Sequence, residues 1–505
     1  MILIVDFGSQ TTHLIGRRLS ELGITSSIVE PEEALKEMKK NKPSGIIFSG
    51  GPAAVYMAGA PTIDTKIFTA GVPILGICYG QQLISHLLNG KVKAGTVREY
   101  GPALLYIEKS PLFANIADRS FQVWMSHGDE VVRLPKGFFS IAHSENIRSG
   151  AIADEEKKMY GVQFHPEVAH TQHGMDVLKN FTNICGETPI SEEIDIQTIV
   201  KRIKETVGKK KVIMAFSGGT DSFVAAALIV KAIGKQLIPV YIESGLMRPQ
   251  ALMNVIHIFP KYFGFTPSVV HAEKTFLHRL MGVTDPETKR KTIGKLYIEL
   301  FEKEAKKHTG VAFLAQGTTY ADFIHSKSTK YAALIKSHHN VGGLPKDMKY
   351  TLLEPIRYFY TDQVRHIGSV LKLPRSVVFQ QPFPGPGFAV RTVGAVTQDR
   401  IRKVKQADTI VVEEIEQAGL KDHIFQYFAI ATGANSTAIK GDGRFYGEVI
   451  AVRAYTTKDR MTADWAKIPY EVLQKISTRI VNEVQGVSRV VYDITTKPPA
   501  TMEWE

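Results

Sequence analysis

VPILGICYGQQLISHLL, residues 72–88, decides the fold of the N-terminal part of the chain. The apolar run Val72–Ile77 predicts a buried strand, and Gln81–Leu88, which has no proline or glycine, predicts a helix. Between them a glycine-flanked turn carries Cys78. A second stretch, VIMAFSGGTDSF at residues 212–223, again predicts a strand, a glycine turn and a helix. Strands and helices that alternate in this way predict multidomain α/β architecture with parallel sheets.

The length of 505 residues predicts about three domains, at roughly 150 residues each. We place them at residues 1–187, 188–380 and 381–505, the last a smaller α+β domain. A break in pattern at Thr188–Ser191 predicts a linker, and Pro382–Gly387 predicts either a boundary or a fixed functional loop. The predicted elements are strands at residues 2–5, 45–48, 212–216, 237–242 and 490–494, and helices at 196–207, 223–232 and 472–484.

Composition excludes several classes of protein. Hydrophobic residues make up 44% of the chain and charged residues 22%, which is enough apolar surface for globular domains. No apolar run approaches the ~20 residues of a membrane helix, and the first residues lack the basic start of a signal peptide. With only Cys78 and Cys185, we expect free thiols and a cytoplasmic location. The net charge of +12 permits nucleic-acid binding, but without a basic tail we expect anionic small substrates instead.

The Gly-x-Cys-x-Gly turn is the thiol form of a nucleophile elbow. A sharp turn presents the side chain of Cys78, small neighbours let the strand and helix approach, and backbone N–H groups stabilise an oxyanion. The alternative is a buried cysteine that packs as a small hydrophobic residue. GVQFHPE, residues 161–167, favours the elbow, because in extended chain His165 and Glu167 face the same side. The carboxylate then orients the imidazole, which activates the thiol.

SGGTDS, residues 217–222, opens the second predicted helix directly after a strand. Gly218 and Gly219 let successive N–H groups face one anion at the helix N-terminus, Ser217 and Ser222 add hydroxyl donors, and Asp221 can hold Mg²⁺. No lysine follows the glycines, so this is not the kinase-type phosphate loop. The alternative is a glycine turn with a helix cap. The motif therefore predicts a pyrophosphate cradle.

GICYGQQL, the SGGP of residues 49–52 and GVQFHPE resemble the class I glutamine amidotransferase family. The resemblance implies a flavodoxin-like fold for residues 1–187 and glutamine hydrolysis through a thioester at Cys78, with His165 as base and Glu167 orienting it. It also implies an oxyanion hole from the N–H groups of Gly51 and Tyr79. The residues that it implies for the glutamine pocket are Gln82, Ser126 and His127, the last with either a pocket-shaping or a chemical role.

SGGTDS is similar to the loop of ATP pyrophosphatases, and downstream segments such as KSHHNVGGLP and the final DITTKPPATMEWE resemble the GMP synthetase family. The resemblance implies that ATP and Mg²⁺ bind at a doubly wound parallel-sheet domain, through residues Ser217, Gly218, Gly219, Thr220, Asp221, Ser222 and Phe223. It further implies that ATP adenylylates XMP and that ammonia displaces AMP to give GMP. Arg248, Lys497 and Glu503 are implied to bind XMP, Lys336 to lie in a lid, and residues 381–505 to form a homodimer.

Some features leave alternatives open. Lys336 is either a lid residue or a solvated lysine, and for His338 and His339 we favour the lid over a metal site because no third ligand keeps the spacing. The chain departs from the family's common residues at Thr11, Ala321, Gln381 and Phe388, none of them in the triad or the phosphate loop. The rival functions are a pyrophosphatase-loop enzyme with another acceptor, such as a tRNA-modifying enzyme, and a non-catalytic regulatory protein. Neither the ammonia route nor a role for Cys185 follows from the sequence.

Overall fold

The computed structural model describes residues 1–9, 11–189, 194–319, 350–440, 442–457, 463–497 and 499–505. These residues form two compact units, one up to residue 189 and one from residue 194. The predicted linker at 188–191 falls at this division, with residues 190 and 191 outside the described part. A further division at residue 380 stays a prediction. None of the described helices has the length and apolar character to cross a bilayer.

In the described part of the first unit, nine strands form one sheet in the order β2-β1-β3-β4-β9-β8-β7-β5-β6. The first five strands in this order pair in parallel, and the remaining pairings are antiparallel. The strands are β1 Ile2–Val5, β2 Ser26–Val29, β3 Gly45–Phe48, β4 Ile74–Ile77, β5 Lys91–Ile107, β6 Ser120–Arg133, β7 Phe139–His143, β8 Ala151–Asp154 and β9 Met159–Val162. The helices are α1 Thr12–Glu21, α2 Ala34–Asn41, α3 Tyr79–Leu87 and α4 Gly174–Ile184.

Four of the five parallel strands of this unit are buried on both faces, as expected where helices cover a sheet on each side, and the edge strand β2 is half-buried. All residues of β1, β3, β4 and β9 are buried. Their apolar runs therefore show no alternation, which is why the sequence reads as continuous hydrophobic stretches. The predicted strands at 2–5 and 45–48 are confirmed, and the predicted helix after Cys78 begins two residues earlier than expected, at Tyr79.

The second unit contains a five-stranded parallel sheet among its described residues, in the order β12-β11-β10-β13-β14. The strands are β10 Lys211–Ala215, β11 Leu237–Glu243, β12 Ser268–His271, β13 Val311–Ala315 and β14 Thr351–Leu353. The α-helices around it are α5 Ile196–Val207, α6 Thr220–Ile233, α7 Pro249–Met253, α8 Phe259–Phe263, α9 Glu273–Leu280, α10 Pro286–Ala305, α11 Thr361–Val370 and α12 Arg375–Val378. The predicted βαβ unit corresponds to β10, α6 and β11.

The C-terminal part of the second unit is a mixed sheet packed against two helices. Strand β16 Gly443–Thr456 pairs antiparallel with β15 Gln426–Lys440 and β17 Asp464–Trp465, and parallel with β18 Val487–Asp493. The helices are α13 Gln398–Gln417 and α14 Tyr470–Glu483. The predicted α+β character, the helix near 472–484 and the strand near 490–494 are confirmed, with bounds that differ by a few residues.

The glycine-proline stretch at 382–387 is a fixed loop inside the second unit. Gly387 has φ +63°, and a Cβ there would lie 2.2 Å from the backbone oxygen of Leu246. The N–H of Phe388 donates to the same oxygen at 2.8 Å. Only glycine permits this close approach, so the loop is held against the segment that follows β11.

Candidate functional site

Cys78 lies between β4 and α3 in a backbone conformation that non-glycine residues rarely adopt, with φ 53° and ψ −105°. Such a conformation costs about 1–3 kcal/mol and persists only where the surroundings impose it. A Cβ on Gly76 would lie 2.5 Å from the carbonyl carbon of Gly80, and one on Gly80 would lie 2.5 Å from the backbone oxygen of Phe48. The flanking glycines therefore let strand and helix pack closely, and the predicted sharp turn at Cys78 is confirmed.

The elbow is fixed to the neighbouring strands by hydrogen bonds. The backbone N–H of Cys78 donates to the carbonyl of Val162 at 2.7 Å, which continues the pairing of β4 with β9. Its Sγ donates to the backbone oxygen of Ser126 at 3.6 Å. The side chain is 6% exposed. The thiol is therefore held at a defined position with only a narrow access to solvent.

His165 and Glu167 stand beside Cys78 because β4 and β9 are adjacent parallel strands, so their carboxyl ends meet at one edge of the sheet. His165 Nδ1 lies 2.8 Å from Glu167 Oε1, and Glu167 is fully buried. The N–H of His165 donates to the backbone oxygen of Trp124 at 3.0 Å, and Thr171 Oγ1 donates to the His165 carbonyl at 2.7 Å. These bonds fix the imidazole between a carboxylate and a thiol.

This environment favours the charged imidazole. Burial disfavours the imidazolium, but the Glu167 carboxylate and the hydrogen bond with Cys78 outweigh that effect. The pKa of His165 is therefore raised well above its usual value. A cationic imidazole next to a thiol stabilises the thiolate, which is the nucleophilic form of cysteine.

The route by which His165 and Glu167 meet differs from our expectation. We predicted an extended strand through His165, with the two side chains on one side. Strand β9 ends at Val162, and residues 163–170 form bends and turns. A turn brings residues two apart together as well as a strand does, and Pro166 favours it because proline has no N–H for a strand ladder. The predicted contact exists, but the predicted local structure was wrong.

The loop that carries Gly51 lies against this arrangement. A Cβ on Gly51 would lie 3.2 Å from Tyr79 Cγ, and one on Gly50 would lie 3.1 Å from His165 Cε1. The two segments expected to form an oxyanion hole are therefore adjacent. Tyr79 also begins α3, whose N-terminus favours negative charge.

The three residues expected in the glutamine pocket have different surroundings. Gln82 is buried, and its amide nitrogen donates to the Asp129 carbonyl at 3.2 Å. Ser126 is exposed on β6. His127 is buried, with Nε2 at 3.1 Å from Glu99 Oε2 and Nδ1 at 3.1 Å from the Asp129 carbonyl. Because both ring nitrogens have protein partners, the geometry supports a pocket-shaping role for His127.

Cys185 contrasts with Cys78. Burial, together with the nearby Glu187 carboxylate, raises the pKa of the Cys185 thiol to about 12. A Cβ on Gly45 would lie 2.3 Å from Cys185 Sγ, so the thiol fills the space beside that glycine. Cys185 is therefore an unreactive packing residue.

In the second unit, the glycine loop lies at the carboxyl end of β10 and leads into α6. Gly218 has φ +74°, and a Cβ there would lie 2.8 Å from the backbone oxygen of Ala251. Ser217 Oγ lies 3.1 Å from Ser222 Oγ and accepts the N–H of Gly219 at 3.3 Å. The loop is therefore curled over the helix N-terminus, as an anion cradle requires.

Residues distant in sequence support this loop. The carbonyl of Gly218 accepts hydrogen bonds from the side-chain amides of Asn254 at 3.1 Å and Gln380 at 3.2 Å. Thr220 Oγ1 donates to the Val377 carbonyl at 2.9 Å, so this hydroxyl anchors the helix start. A Cβ on Gly317 would lie 2.9 Å from the backbone nitrogen of Ser222, so the segment after β13 covers the same helix end.

Of the other expected ATP residues, Asp221 lies in the first turn of α6 and Phe223 is fully buried in the core of the unit. Among the described residues, no three His, Cys, Asp or Glu side chains form a group that could hold a metal ion. The Asp221 carboxylate at this helix start is compatible with Mg²⁺, which is typically held by one or two carboxylates together with substrate phosphates.

Two of the residues expected to bind XMP belong to one network of buried ion pairs. Arg248 Nε lies 2.6 Å from Asp408 Oδ2, and its Nη2 lies 2.9 Å from Oδ1. Arg391 contacts Glu503 at 2.9 and 3.0 Å and lies 3.7 Å from Asp408. Both guanidinium groups also lie over the ring of Phe383, at 5.0 and 4.5 Å. The Arg248–Asp408 pair of this network joins residues that are 160 apart in the sequence.

The remaining expected positions lie partly within and partly outside the described residues. Lys497 pairs its backbone with Ala463 in an isolated bridge. Lys336 and Ala321, and also His338 and His339, lie outside the described residues. Gln381 Oε1 accepts the N–H of Tyr427 at 3.1 Å, and Phe388 is buried. These last two departures thus have structural contacts of their own.

The sequence interpretation missed the buried partners. Asp408 had a signal: it occupies a core position in the stripe of α13, where Ile401, Val404, Val411 and Ile415 are apolar. A charged residue in such a stripe needs a partner. Arg391 is fully buried and therefore needs a charged partner as well. The sequence around Arg391 has no comparable apolar pattern that would have indicated this.

Comparison with known proteins covers the whole chain. Three family models match: "Glutamine amidotransferase class-I" over residues 3–185, "NAD synthase" over 194–260 and "GMP synthase C terminal domain" over 413–504. The glutamine-hydrolysing GMP synthase of Brachyspira hyodysenteriae is 50% identical, with 100% of this chain and 99% of that protein covered. Those of Clostridium perfringens and Staphylococcus carnosus are each 48% identical, with 100% of this chain covered and 99% and 98% of the relatives.

The match extends over both sites and over the C-terminal region that contains the ion-pair network. At this identity and coverage, similarity reflects common ancestry along the entire chain. The chain belongs to the family of glutamine-hydrolysing GMP synthases.

Proposed function

We propose that this chain makes GMP from XMP, ATP and glutamine, with glutamine hydrolysis in the first unit and nucleotide chemistry in the second. The observation that carries the proposal is the full-length similarity to glutamine-hydrolysing GMP synthases, at 50% identity for the Brachyspira protein. It favours this acceptor over that of another pyrophosphatase-loop enzyme. The triad contacts favour a catalyst over a non-catalytic regulatory protein.

In the first unit, Cys78 Sγ attacks the side-chain amide carbon of glutamine and forms a thioester. The C–N bond breaks, and His165 gives its proton to the departing ammonia. Water then attacks the thioester with His165 as base, releasing glutamate and restoring the thiol. The 2.8 Å contact between Glu167 and His165 supports the orienting role of the carboxylate.

The oxyanion of each tetrahedral intermediate is stabilised by the N–H groups of Gly51 and Tyr79. Two observations support this assignment: the Gly51 loop closely approaches Tyr79, and Tyr79 lies at the start of α3. Gln82, Ser126 and His127 line the glutamine pocket. Of these, His127 shapes the pocket through Glu99.

In the second unit, the loop Ser217–Phe223 receives the phosphates of ATP. The carbonyl oxygen at C2 of XMP attacks the α-phosphorus, the bond to the β-phosphate oxygen breaks, and pyrophosphate leaves. Ammonia then adds at C2, and AMP departs with the former carbonyl oxygen. Asp221 would hold Mg²⁺, which neutralises phosphate charge when bound.

Arg248, Lys497 and Glu503 bind XMP in this account. The ion pairs with Asp408 and Arg391 support a fixed placement of Arg248 and Glu503. A carboxylate that contacts an arginine through both oxygens fixes the plane of the guanidinium group. A guanidinium fixed in this way suits recognition of a phosphate or a purine edge. Lys336 acts from a lid over the nucleotides.

We further propose that the enzyme is a cytoplasmic homodimer that associates through residues 381–505. Large apolar side chains exposed in this region support the interface: Ile439, Tyr446 and Tyr470 are each more than two thirds exposed, at 78%, 71% and 88%. Light scattering coupled to size-exclusion chromatography tests the assembly. A monomer mass would contradict it.

The decisive experiment for the function is GMP formation from XMP and Mg-ATP with either glutamine or ammonium. XMP labelled with ¹⁸O at C2 also tests the mechanism, because the proposed route transfers that oxygen to AMP. GMP with both nitrogen sources and labelled AMP is the expected result. GMP formed without label in AMP would contradict adenylylation, and no GMP from either source would contradict the acceptor.

A further inference from the structure

Thr11 makes an unusual hydrogen bond for a threonine at the start of a helix. It is the N-cap residue of α1, where a threonine hydroxyl normally accepts a backbone N–H of the first turn and stabilises the helix. Its side chain makes no such capping bond. Instead, Thr11 Oγ1 donates to Glu167 Oε1 at 2.6 Å, across 156 residues of sequence.

The donors and acceptors in the hydrogen bonds around Thr11 follow from the number of protons available. The single hydroxyl proton of Thr11 goes to the carboxylate, which is acceptor-only when ionised. Ser9 must therefore donate in its 2.9 Å contact with Thr11 Oγ1. The N–H of Thr11 in turn donates to Ser9 Oγ at 3.2 Å. A polarised chain of hydrogen bonds thus ends on Glu167, and each member strengthens the next.

Glu167 receives few other contacts. Its Oε1 accepts from both Thr11 and His165, while Oε2 has no hydrogen-bond partner among the described residues. Its backbone carbonyl accepts from Arg18 Nε at 3.0 Å. Thr11 is the N-cap of α1, and Arg18 lies in the last turn of the same helix. One helix therefore holds both the backbone and the carboxylate of Glu167.

We propose that Thr11 is a positioning residue for glutamine hydrolysis: its hydroxyl fixes the Glu167 carboxylate so that Oε1 faces His165 Nδ1. This inference rests on the proposed function of the triad. Without the hydroxyl, the fully buried carboxylate has His165 as its remaining hydrogen-bond donor among the described residues, and it can rotate away from the orientation that catalysis needs.

The test compares Thr11→Val, which keeps the shape but removes the hydroxyl, with Thr11→Ser, which keeps the hydroxyl. We expect Thr11→Val to lower kcat for glutamine-dependent GMP formation by about 5- to 10-fold, since hydrogen bonds to charged groups are stronger than neutral ones and part of this stabilisation bears on the transition state. The KM for glutamine and the ammonium-dependent rate should stay near wild type. Thr11→Ser should restore kcat to within about 2-fold of wild type.

Thr12→Val is the matched control. Thr12 Oγ1 donates to Asp6 Oδ1 at 2.7 Å at the same helix start and makes no bond to Glu167. It should keep kcat even if it lowers the unfolding temperature. Equal losses in Thr11→Val and Thr12→Val, a loss in Thr11→Ser equal to that in Thr11→Val, or unchanged kcat in Thr11→Val would overturn the positioning role. Absence of glutamine-dependent GMP formation in the wild-type protein would instead contradict the function on which the inference rests.

Discussion

The two sites of this chain differ in how their residues are brought together. In the first unit, Cys78 and His165 follow two strands that are neighbours in one parallel sheet, and Glu167 is two residues further along. In the second, the phosphate loop is local, but Arg248 and Glu503 are placed through ion pairs with Asp408 and Arg391, 160 and 112 residues away. The comparison teaches that adjacent parallel strands, with the turn that follows β9, bring the proposed triad together, whereas the residues proposed to bind XMP are held by buried charges from several segments.

The largest expected effect comes from the phosphate loop. Asp221→Asn should lower both the glutamine-dependent and the ammonium-dependent rate, by about 10³-fold, because activation of XMP precedes attack by either nitrogen source. Parallel assays with the two nitrogen sources measure this. Asp195→Asn is the control, since Asp195 caps α5, another helix start, through Gln197 and Thr198. Loss with only one nitrogen source would break the distinction between the two sites.

A smaller effect is expected for Glu167→Gln, on the glutamine-dependent rate alone. We expect about a 10²-fold fall in kcat. Without the carboxylate, burial dominates, so the pKa of His165 falls from its raised value. The imidazolium is then lost at lower pH, so the alkaline limb of the pH profile should move to lower pH.

The control for this pH shift is Asp176→Asn. Asp176 contacts Nδ1 of His173 at 2.9 Å in similar geometry, and that histidine plays no part in the proposed mechanism. The pH profile of this variant should match wild type. An alkaline limb that stays in place in Glu167→Gln, or that moves upward, would contradict the proposed coupling of Glu167 to His165.

The smallest of these effects concerns the ion-pair network. Asp408→Asn should raise the KM for XMP about 10-fold, equivalent to about 1.4 kcal/mol, because Arg248 loses its charged partner. The KM for glutamine should not change. Glu414→Gln is the control on the same helix, where Glu414 pairs with Arg479 at 2.9 Å. An unchanged KM for XMP in Asp408→Asn would contradict a role of the ion-pair network in XMP binding.

The same contrast explains what the sequence could predict. Strand, turn and helix at Cys78 and at Ser217–Ser222 were correctly predicted, because their local patterns follow from backbone geometry and continuous apolar runs. The contact between His165 and Glu167 was expected for the wrong local reason, since a turn forms it. Side chains two residues apart can meet both in a strand and in a turn that follows a strand, so this spacing alone does not distinguish the two structures.

The buried partners could not be predicted with the same ease. Arg391 and Asp408 are almost entirely buried, and their pairing depends on the fold of the whole second unit. The hydroxyl bond from Thr11 to Glu167 likewise depends on how α1 lies against the turn after β9. Such contacts have no periodicity of their own, although a lone charge in an apolar helical stripe, as at Asp408, indicates that a partner exists.

The most direct test of two separate sites is Cys78→Ala, assayed with both nitrogen sources in one preparation. Removal of the nucleophile should lower glutamine-dependent GMP formation by at least about 10³-fold. Ammonium-dependent formation should stay within about 2-fold of wild type, because the second unit keeps its phosphate loop and ion pairs. Equal loss of both activities would contradict the division of chemistry between the two sites.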